Sequence, residues 1–531
     1  VCALQWRGTS VGGERMKGRD RSLRQWLRRG AVGLVVGVVA AMLAVDASAE
    51  LRLAKIFADH MVVQREKPVL VWGWADAGAT VTVGFAGEVY VATADGTGAW
   101  EVALPPLDAS AVGQTLQVTS GEQRLAVRDV LVGDVWHASG QSNMAMTVAA
   151  VLEGLPAAKP LIATADLPAV RFCRLQAGPS RVPLAELADA VVWTQCTAET
   201  AGSVSAVAFF FATRLHDARE VPIAVIDSSR GGTPIEPFIP REAFAGHPTL
   251  EMELELGDRN DLEGIWRLAG GVRARDENWL PGRLFQSRLA PLLRLRVRGC
   301  IWYQGESNAG VQEDPRDYEH KMRALVRGWR RALGDDSLPF LYVQLPGSGA
   351  GAGWPYLREQ QRLAADEPQV GMVVTIDLEG EGIHPPNKVD VGRRLAAWAL
   401  ATTVDPDIPH AGPMMDTYEI RGREVVVWFR QAESGLMTAT KSGLEPPRET
   451  PGVPPALCEV ADGEGRWHAA VARIDGDTMV VSSDAVAEPV AARYAYEVTP
   501  AGCNLYNRAG LPASPFCTHP ALLAYDPQLP E

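Results

Sequence analysis

Four short stretches of this chain carry the side chains that group-transfer chemistry needs, each of them beside glycine. Ser139-Gly140-Gln141-Ser142-Asn143-Met144 holds a serine in a tight, glycine-started turn where its hydroxyl can stand exposed. Asp227-Ser228-Ser229-Arg230-Gly231-Gly232-Thr233 offers two glycines whose backbone N–H groups can come close to a bound oxygen. Gln304-Gly305-Glu306-Ser307-Asn308 brings two amides, a carboxylate and a second serine, and the run from Glu381 to His384-Pro385 brings an acid and an imidazole. A serine hydroxyl is a weak nucleophile until an adjacent base takes its proton, and a third group commonly orients that base. Ser142 and His384 can fill the first two roles. Acyl transfer also develops an oxyanion, for which the backbone N–H groups of Ser142 and of Gly231-Gly232, with the Gln304 amide, are candidate donors. Spacing alone leaves rivals open. Ser307 sits in a similar turn, a lone histidine is more often structural, and a lone Glu381 is more often a solvated carboxylate.

Each stretch follows, or lies just beyond, an apolar run of strand type: residues 132–136, 222–226, 300–303 and 372–376, with a further run at 340–343. Between them, residues 318–333 place Met322, Leu325, Val326, Trp329 and Leu333 at helical spacing, and residues 389–400 do likewise. Strands alternating with helices predict a parallel sheet covered on both faces, and in open parallel sheets the ligand sits at the carboxyl ends of the strands, where these loops fall. The flanks read differently. Residues 51–130 carry short β-type runs at 69–72, 80–83 and 89–91 with Asp95-Gly96 as a hairpin signal, and β character returns from about residue 412, with runs at 425–428 and 479–481 and Asp475-Gly476 between. The proline-rich stretch 446–455 reads as a loop inside that last module.

At 531 residues the chain is long enough for several domains, and 47% hydrophobic with 22% charged residues is the composition of a globular protein rather than of a disordered or multi-span one. A net charge of -13, with no basic stripe after residue 50, lacks the electrostatic footprint of a nucleic-acid binder. Arg21, Arg24, Arg28 and Arg29 precede an apolar run at 31–45 and then Ala47-Ser48-Ala49, the order of a secretory signal, so residues 1–49 are expected to be removed and the product to be periplasmic or secreted, with no stable membrane insertion. Export permits disulfides, for which Cys503 with Cys517 and then Cys173 with Cys196 are the best pairs by proximity. No metal site is apparent, since there is no Cys-x-x-Cys and the nine histidines show no ligand spacing. Trp72, Trp74 and Trp302 are candidate sugar-stacking platforms, although tryptophan is more often core.

Gly140-Gln141-Ser142-Asn143-Met144, Gly231-Gly232-Thr233-Pro234-Ile235-Glu236, Trp302-Tyr303-Gln304-Gly305-Glu306-Ser307-Asn308 and His384-Pro385-x-Asn387-Lys388 resemble, in this order, the motif blocks of sialate O-acetylesterase-like proteins of the SGNH hydrolase superfamily. The resemblance runs from residue 51 onward, since the stretch from Ile56-Phe57-Ala58 to Gln64-Arg65 is similar to that family's opening β segment, and Asn504-Leu505-Tyr506-Asn507 and Leu511-Pro512-Ala513-Ser514-Pro515-Phe516 to its closing one. It implies an α/β fold with a flavodoxin-like catalytic domain at 131–410, β-sandwich-type modules at 50–130 and 411–531, and cofactor-free removal of acetyl groups from an acetylated carbohydrate by Ser142 and His384. Ser307 then becomes a framework residue. Two departures stand out. The superfamily offers an asparagine to the oxyanion where Gln304, or less readily Asn308, is available here, and it places an aspartate three residues before the histidine where this chain has Glu381. Asp377 or a dyad without an acid are the alternatives. A non-catalytic carbohydrate-binding envelope protein and an O-acetyltransferase are the competing functions, and the sugar itself, sialic acid or a plant polysaccharide such as xylan or xyloglucan, stays open, as does the oligomeric state.

Overall fold

The central strands of the core, β4 (Ile223–Asp227) and β5 (Gly299–Tyr303), are among those buried at every position. A strand covered on both faces reads as a nearly continuous apolar run rather than an alternating one, which is the pattern of a parallel sheet sandwiched between helices. The computed structural model describes residues 50–163, 165–268, 277–309, 314–347, 350–378, 380, 382–523 and 525. Around these two strands it places β1 (Gln123–Gly140), β2 (Leu167–Arg174), β3 (Trp193–Cys196), β6 (Phe340–Val343) and β7 (Val370–Val373), in the order β3-β2-β4-β1-β5-β6-β7. Every neighbouring pair in this order is parallel except the edge pair β3/β2.

Side chains that alternate along each strand feed two cores. Ile301 and Val225 pack with Phe211 and Leu215 of helix α1 (Ala206–Arg219) and with Leu395 and Ala399 of α5 (Lys388–Thr403). Trp302 and Ala224 point the other way, to Met322, Leu325 and Trp329 of α3 (Tyr318–Leu333) and Leu357 of α4 (Gly353–Ala364). Helix α3 occupies the span its apolar spacing predicts, and it stops at Gly334, whose φ of +67° and N–H bonds to the carbonyls of Arg330 and Arg331 close the last turn. The sheet is thus covered on both faces and sits in one compact unit running from Leu51 to Glu531.

The expected strand at 372–376 is displaced. Strand β7 starts earlier and ends at Val373. Beyond it the backbone acceptors are met by side chains, with Arg394 donating to the Val374 carbonyl at 2.6 Å and Thr375 donating to the Gln344 carbonyl at 2.8 Å, so the ladder is not continued. At the other end, β1 runs across residue 130: its first half pairs antiparallel with Ser110–Ser120, and its second half enters the parallel sheet. A buried bidentate ion pair, Arg65 to Asp134 at 2.9 and 3.1 Å, fastens the preceding segment to the same strand. The C-terminal part is β-rich, with seven antiparallel strands in one sheet, among them the hairpin of Trp467–Asp475 and Thr478–Ser482. Among the described residues no helix is long and apolar enough to cross a membrane. The expected signal segment, 1–49, lies outside the described residues.

Neither expected disulfide is present, because all six described cysteines are free. On the β2/β3 ladder Cys173 faces Trp193 while Cys196, past a bulge, faces Leu167, so the two thiols sit at different rungs. Cys517 lies opposite Arg493 on a C-terminal strand, whereas the Cys503 thiol points at the Ile376 carbonyl. The tryptophan expectation is also corrected: Trp72 and Trp302 are fully buried, and the ring of Trp74 is covered by the Arg52 guanidinium at 3.8 Å.

Candidate active site

Strand β1 ends at Gly140 with φ +127°, and a Cβ there would stand 2.1 Å from the Tyr303 carbonyl oxygen. Only glycine lets the end of β1 approach β5 this closely while turning the chain, and the turn delivers Ser142 to the carboxyl edge of the sheet. The turn is pinned on both sides. Gln141 N–H donates to the Tyr303 carbonyl and Arg230 N–H to the Gly140 carbonyl, each at 2.9 Å. Gly231 lies against the serine, close enough that a Cβ there would be 3.7 Å from the Ser142 Cβ. Arg288, buried in the layer below, donates to the carbonyls of Ser228 and Ser229 at 2.8 Å and so fixes the glycine loop.

His384 Nε2 lies 2.7 Å from Ser142 Oγ, although 242 residues separate them. The imidazole partner is Ser142 and not the rival Ser307, whose backbone N–H donates to Gln141 Oε1 at 3.0 Å. Desolvation first, and then the Lys388 charge, lower the histidine below its usual value, which keeps it neutral and able to accept a proton near neutral pH. Asp377 is not positioned as its acid: the carboxylate takes both arms of Arg394 at 2.7 Å and the Tyr506 hydroxyl at 3.2 Å, with its side chain 1% exposed. Glu381 lies outside the described residues.

Gln304 departs from its expected part. Its amide nitrogen donates to Asn308 Oδ1 at 2.7 Å and Gln141 Oε1 at 3.1 Å, and its oxygen accepts from the Tyr318 hydroxyl at 2.7 Å. Both amide hydrogens are committed, so Gln304 supports Gln141 from below instead of facing the serine. Asn308 is equally engaged, donating to Glu236 at 3.0 Å and accepting from Ile235 N–H.

Three residues that spacing did not single out complete the site. The Asn143 amide donates to Glu306 and, at 2.7 Å, to the Ile383 carbonyl, while its oxygen accepts from Lys388, which also donates to the Pro385 carbonyl at 2.8 Å. Asn143 therefore ties the residue after the nucleophile to the loop on both sides of His384. Burial lowers the Lys388 ammonium to about 7 against the pull of Glu306, and raises the Glu306 carboxyl to about 7. Lys388 reaches back because Asn387 caps α5, its side chain accepting from Asp390 N–H, which starts the helix where the first side chain points into the site. The signal for all three lay inside the motif blocks, where Asn143, Glu306 and Lys388 stand beside the residues that drew attention.

A serine on a neutral imidazole at the carboxyl end of a parallel sheet is the arrangement of an acyl-transferring hydrolase. Residues 132–401 match the family model of carbohydrate esterases described as sialic acid-specific acetylesterase. The sialate O-acetylesterase of Rattus norvegicus is 28% identical over 552 residues, covering 91% of this chain and 97% of its own, and that of Homo sapiens is 28% identical with 92% and 96% covered. A crystal structure of a carbohydrate acetylesterase from Xanthomonas citri superposes with a TM-score of 0.77 at 34% identity, covering 88% of this chain and 99% of that one. The chain belongs to this carbohydrate esterase family, and it is an esterase that hydrolyses O-acetyl groups of carbohydrates.

Proposed function

We propose that the hydrolysis runs through an acyl-enzyme on Ser142. His384 takes the Oγ proton as the oxygen attacks the acetyl carbonyl, then returns it to the departing sugar oxygen. Water, activated by the same imidazole, releases acetate. Backbone N–H groups of Ser142 and of Gly231-Gly232 hold the oxyanion, with Gln304 steadying Gln141 beneath it. Glu381, three residues before His384, is the acid that orients the ring, because Asp377 is occupied by Arg394. The observation that carries this reading is the 2.7 Å contact between His384 Nε2 and Ser142 Oγ.

The order β4-β1-β5-β6-β7, with β2 added beside β4, supports a flavodoxin-like catalytic core at 131–410, flanked by a β module at 50–130, strands of which pair with β1, and by one at 411–531 whose strands form sheets of their own. Removal of residues 1–49 would leave a periplasmic or secreted enzyme. The substrate is an O-acetylated sugar, either sialic acid or a plant polysaccharide fragment. Acetate release is to be measured on acetylated sialic acids, xylo-oligosaccharides and xyloglucan fragments, with wild type beside Ser142→Ala. Release from one class defines the sugar, and release by the variant at the wild-type rate would refute the acyl-enzyme.

A further inference from the structure

Nine histidines scattered through the sequence give no ligand pattern, yet folding carries two of them to one carboxylate. His247 stands in the position just before α2 (Pro248–Asp258), Asp317 in the position just before α3, and His320 in the first turn of α3. Asp317 and His320, three residues apart, share one side of the helix start. One ligand atom from each of the three lies within 4.8 Å of the others. The two imidazole centroids are 4.4 Å apart at an interplanar angle of 32°, and His247 Nε2 is 3.8 Å from Asp317 Oδ1. Imidazoles bound at about 2.1 Å to adjacent positions of one ion have centroids roughly 4.5 to 5.3 Å apart as the angle between them opens from about 90° to the tetrahedral value, so the two rings stand at the near edge of that range and need only a small outward shift to share an ion.

Three features set this cluster apart from a chance meeting of polar side chains. An aspartate at the head of a helix ordinarily caps it with its carboxylate, but neither Asp317 nor His247 makes a side-chain cap bond. The His247 ring turns Nε2 toward Asp317 without reaching hydrogen-bond distance, and its buried Nδ1 has no hydrogen-bond partner among the described residues, so neither nitrogen is committed to another group there. The neighbouring cations do not compete for Asp317 either. Arg316 is held by Asp314, and Lys321 by Glu236 and Glu253.

We propose that His247, Asp317 and His320 bind one divalent transition-metal ion of the zinc class and so clip the start of α2 to the start of α3. Two imidazoles and one carboxylate form a mixed nitrogen and oxygen set that suits zinc and its neighbours rather than magnesium or calcium, and three protein ligands leave the remaining positions to water. Asp317 also lines a cavity with Ser307, Asn308 and Lys321, so the ion braces the wall of a cavity behind the third motif block without touching Ser142 or His384. The inference stands independently of the acyl-enzyme reading.

The test is zinc uptake by the full chain, free of any histidine tag, after exhaustive dialysis against a chelator. Calorimetric titration and elemental analysis should give one zinc per chain, and His320→Ala and Asp317→Asn should each weaken binding at least about tenfold, given that even outer-shell changes cost that much. Zinc should raise the melting temperature of wild type, because it binds the folded state, and leave that of the variants unmoved. Cobalt in place of zinc should give ligand-field absorption bands in wild type that both variants lack. Release of acetate from an aryl acetate, unchanged in the variants and in chelator, reports that they are folded. Absence of stoichiometric uptake by folded wild type, or uptake that persists in the His247→Ala/His320→Ala double variant, overturns the site.

Discussion

At the scale of single residues the site depends on where protons rest. In the proposed acyl-enzyme route Ser142 passes its proton to His384, 2.7 Å away, so Ser142→Ala should abolish acetate release from an aryl acetate, while Ser307→Ala, whose contribution to the site is a backbone N–H, should keep much of it; wild-type turnover in purified Ser142→Ala would end the assignment. Glu381→Gln should lower turnover by at least about 10²-fold, a fraction of what neutralising a triad acid costs, with little change in melting temperature. Asp377→Asn should cost less in turnover and more in stability, because it loosens a buried pair with Arg394. Near-wild-type turnover in folded Glu381→Gln would leave a dyad. Lys388 invites a test by pH. His384 works as a base only when neutral, so activity falls as pH drops through its pKa, which desolvation and then Lys388 hold below the usual ~6.5. Lys388→Met should shift the acid limb of kcat/KM to higher pH, and Lys388→Arg should shift it far less even if kcat falls in both through the lost bond to the Pro385 carbonyl. An unmoved limb in Lys388→Met would show that the charge is not felt at the imidazole.

The elements matter through their ends. Strand β1 must stop against β5 and turn at once, and Gly140 is where both demands meet, with φ +127° and the Tyr303 carbonyl 2.1 Å from where a Cβ would be. Gly140→Ala should therefore destabilise the fold by about 1–3 kcal/mol or more in urea unfolding, through strain and displacement of β5, and should lose activity beyond that by moving Ser142. Wild-type stability in that variant would mean the turn relaxes more easily than its contacts imply. The same logic explains why strand positions were legible in the sequence but strand ends were not. Apolar runs marked β4, β5 and β6, whereas β7 ended early because Arg394 and Thr375, distant in sequence or facing another strand, took over the hydrogen bonding there. Helix α3 was legible to the residue, since both its periodicity and the glycine that ends it are local.

For the whole molecule, stability comes from the cores packed on the two faces of the sheet, with no cross-link among the described cysteines. The free thiols of Cys173, Cys458, Cys503 and Cys517 are pushed up to about 12 by burial and that of Cys196 to about 11, so they are poor nucleophiles at neutral pH. Native protein should react slowly with a disulfide reagent, all described thiols should react once it is unfolded, and reductant should leave both its mass and melting temperature unchanged. A mass increase on reduction would reveal a disulfide. The N-terminal β segment is joined to the parallel sheet by a shared strand, since β1 serves both, whereas the C-terminal strands form sheets of their own.

By itself the sequence determined the alternation of buried strands and helices, the serine turn, the glycine loop and the histidine, because each rests on local periodicity or on a residue type that only one backbone shape tolerates. Only the tertiary structure decided which side chains meet. Gln304 turned out to hold Gln141, Asp377 to hold Arg394, and Asn143 to join Glu306 and Lys388 around the His384 loop. Hydrogen bonds in a buried layer are allotted among partners brought together from distant parts of the chain, so a donor's availability is fixed by its neighbours in space. The same reason hid His247 from His320: their meeting requires two helix starts to be packed side by side, and no spacing along the chain records that.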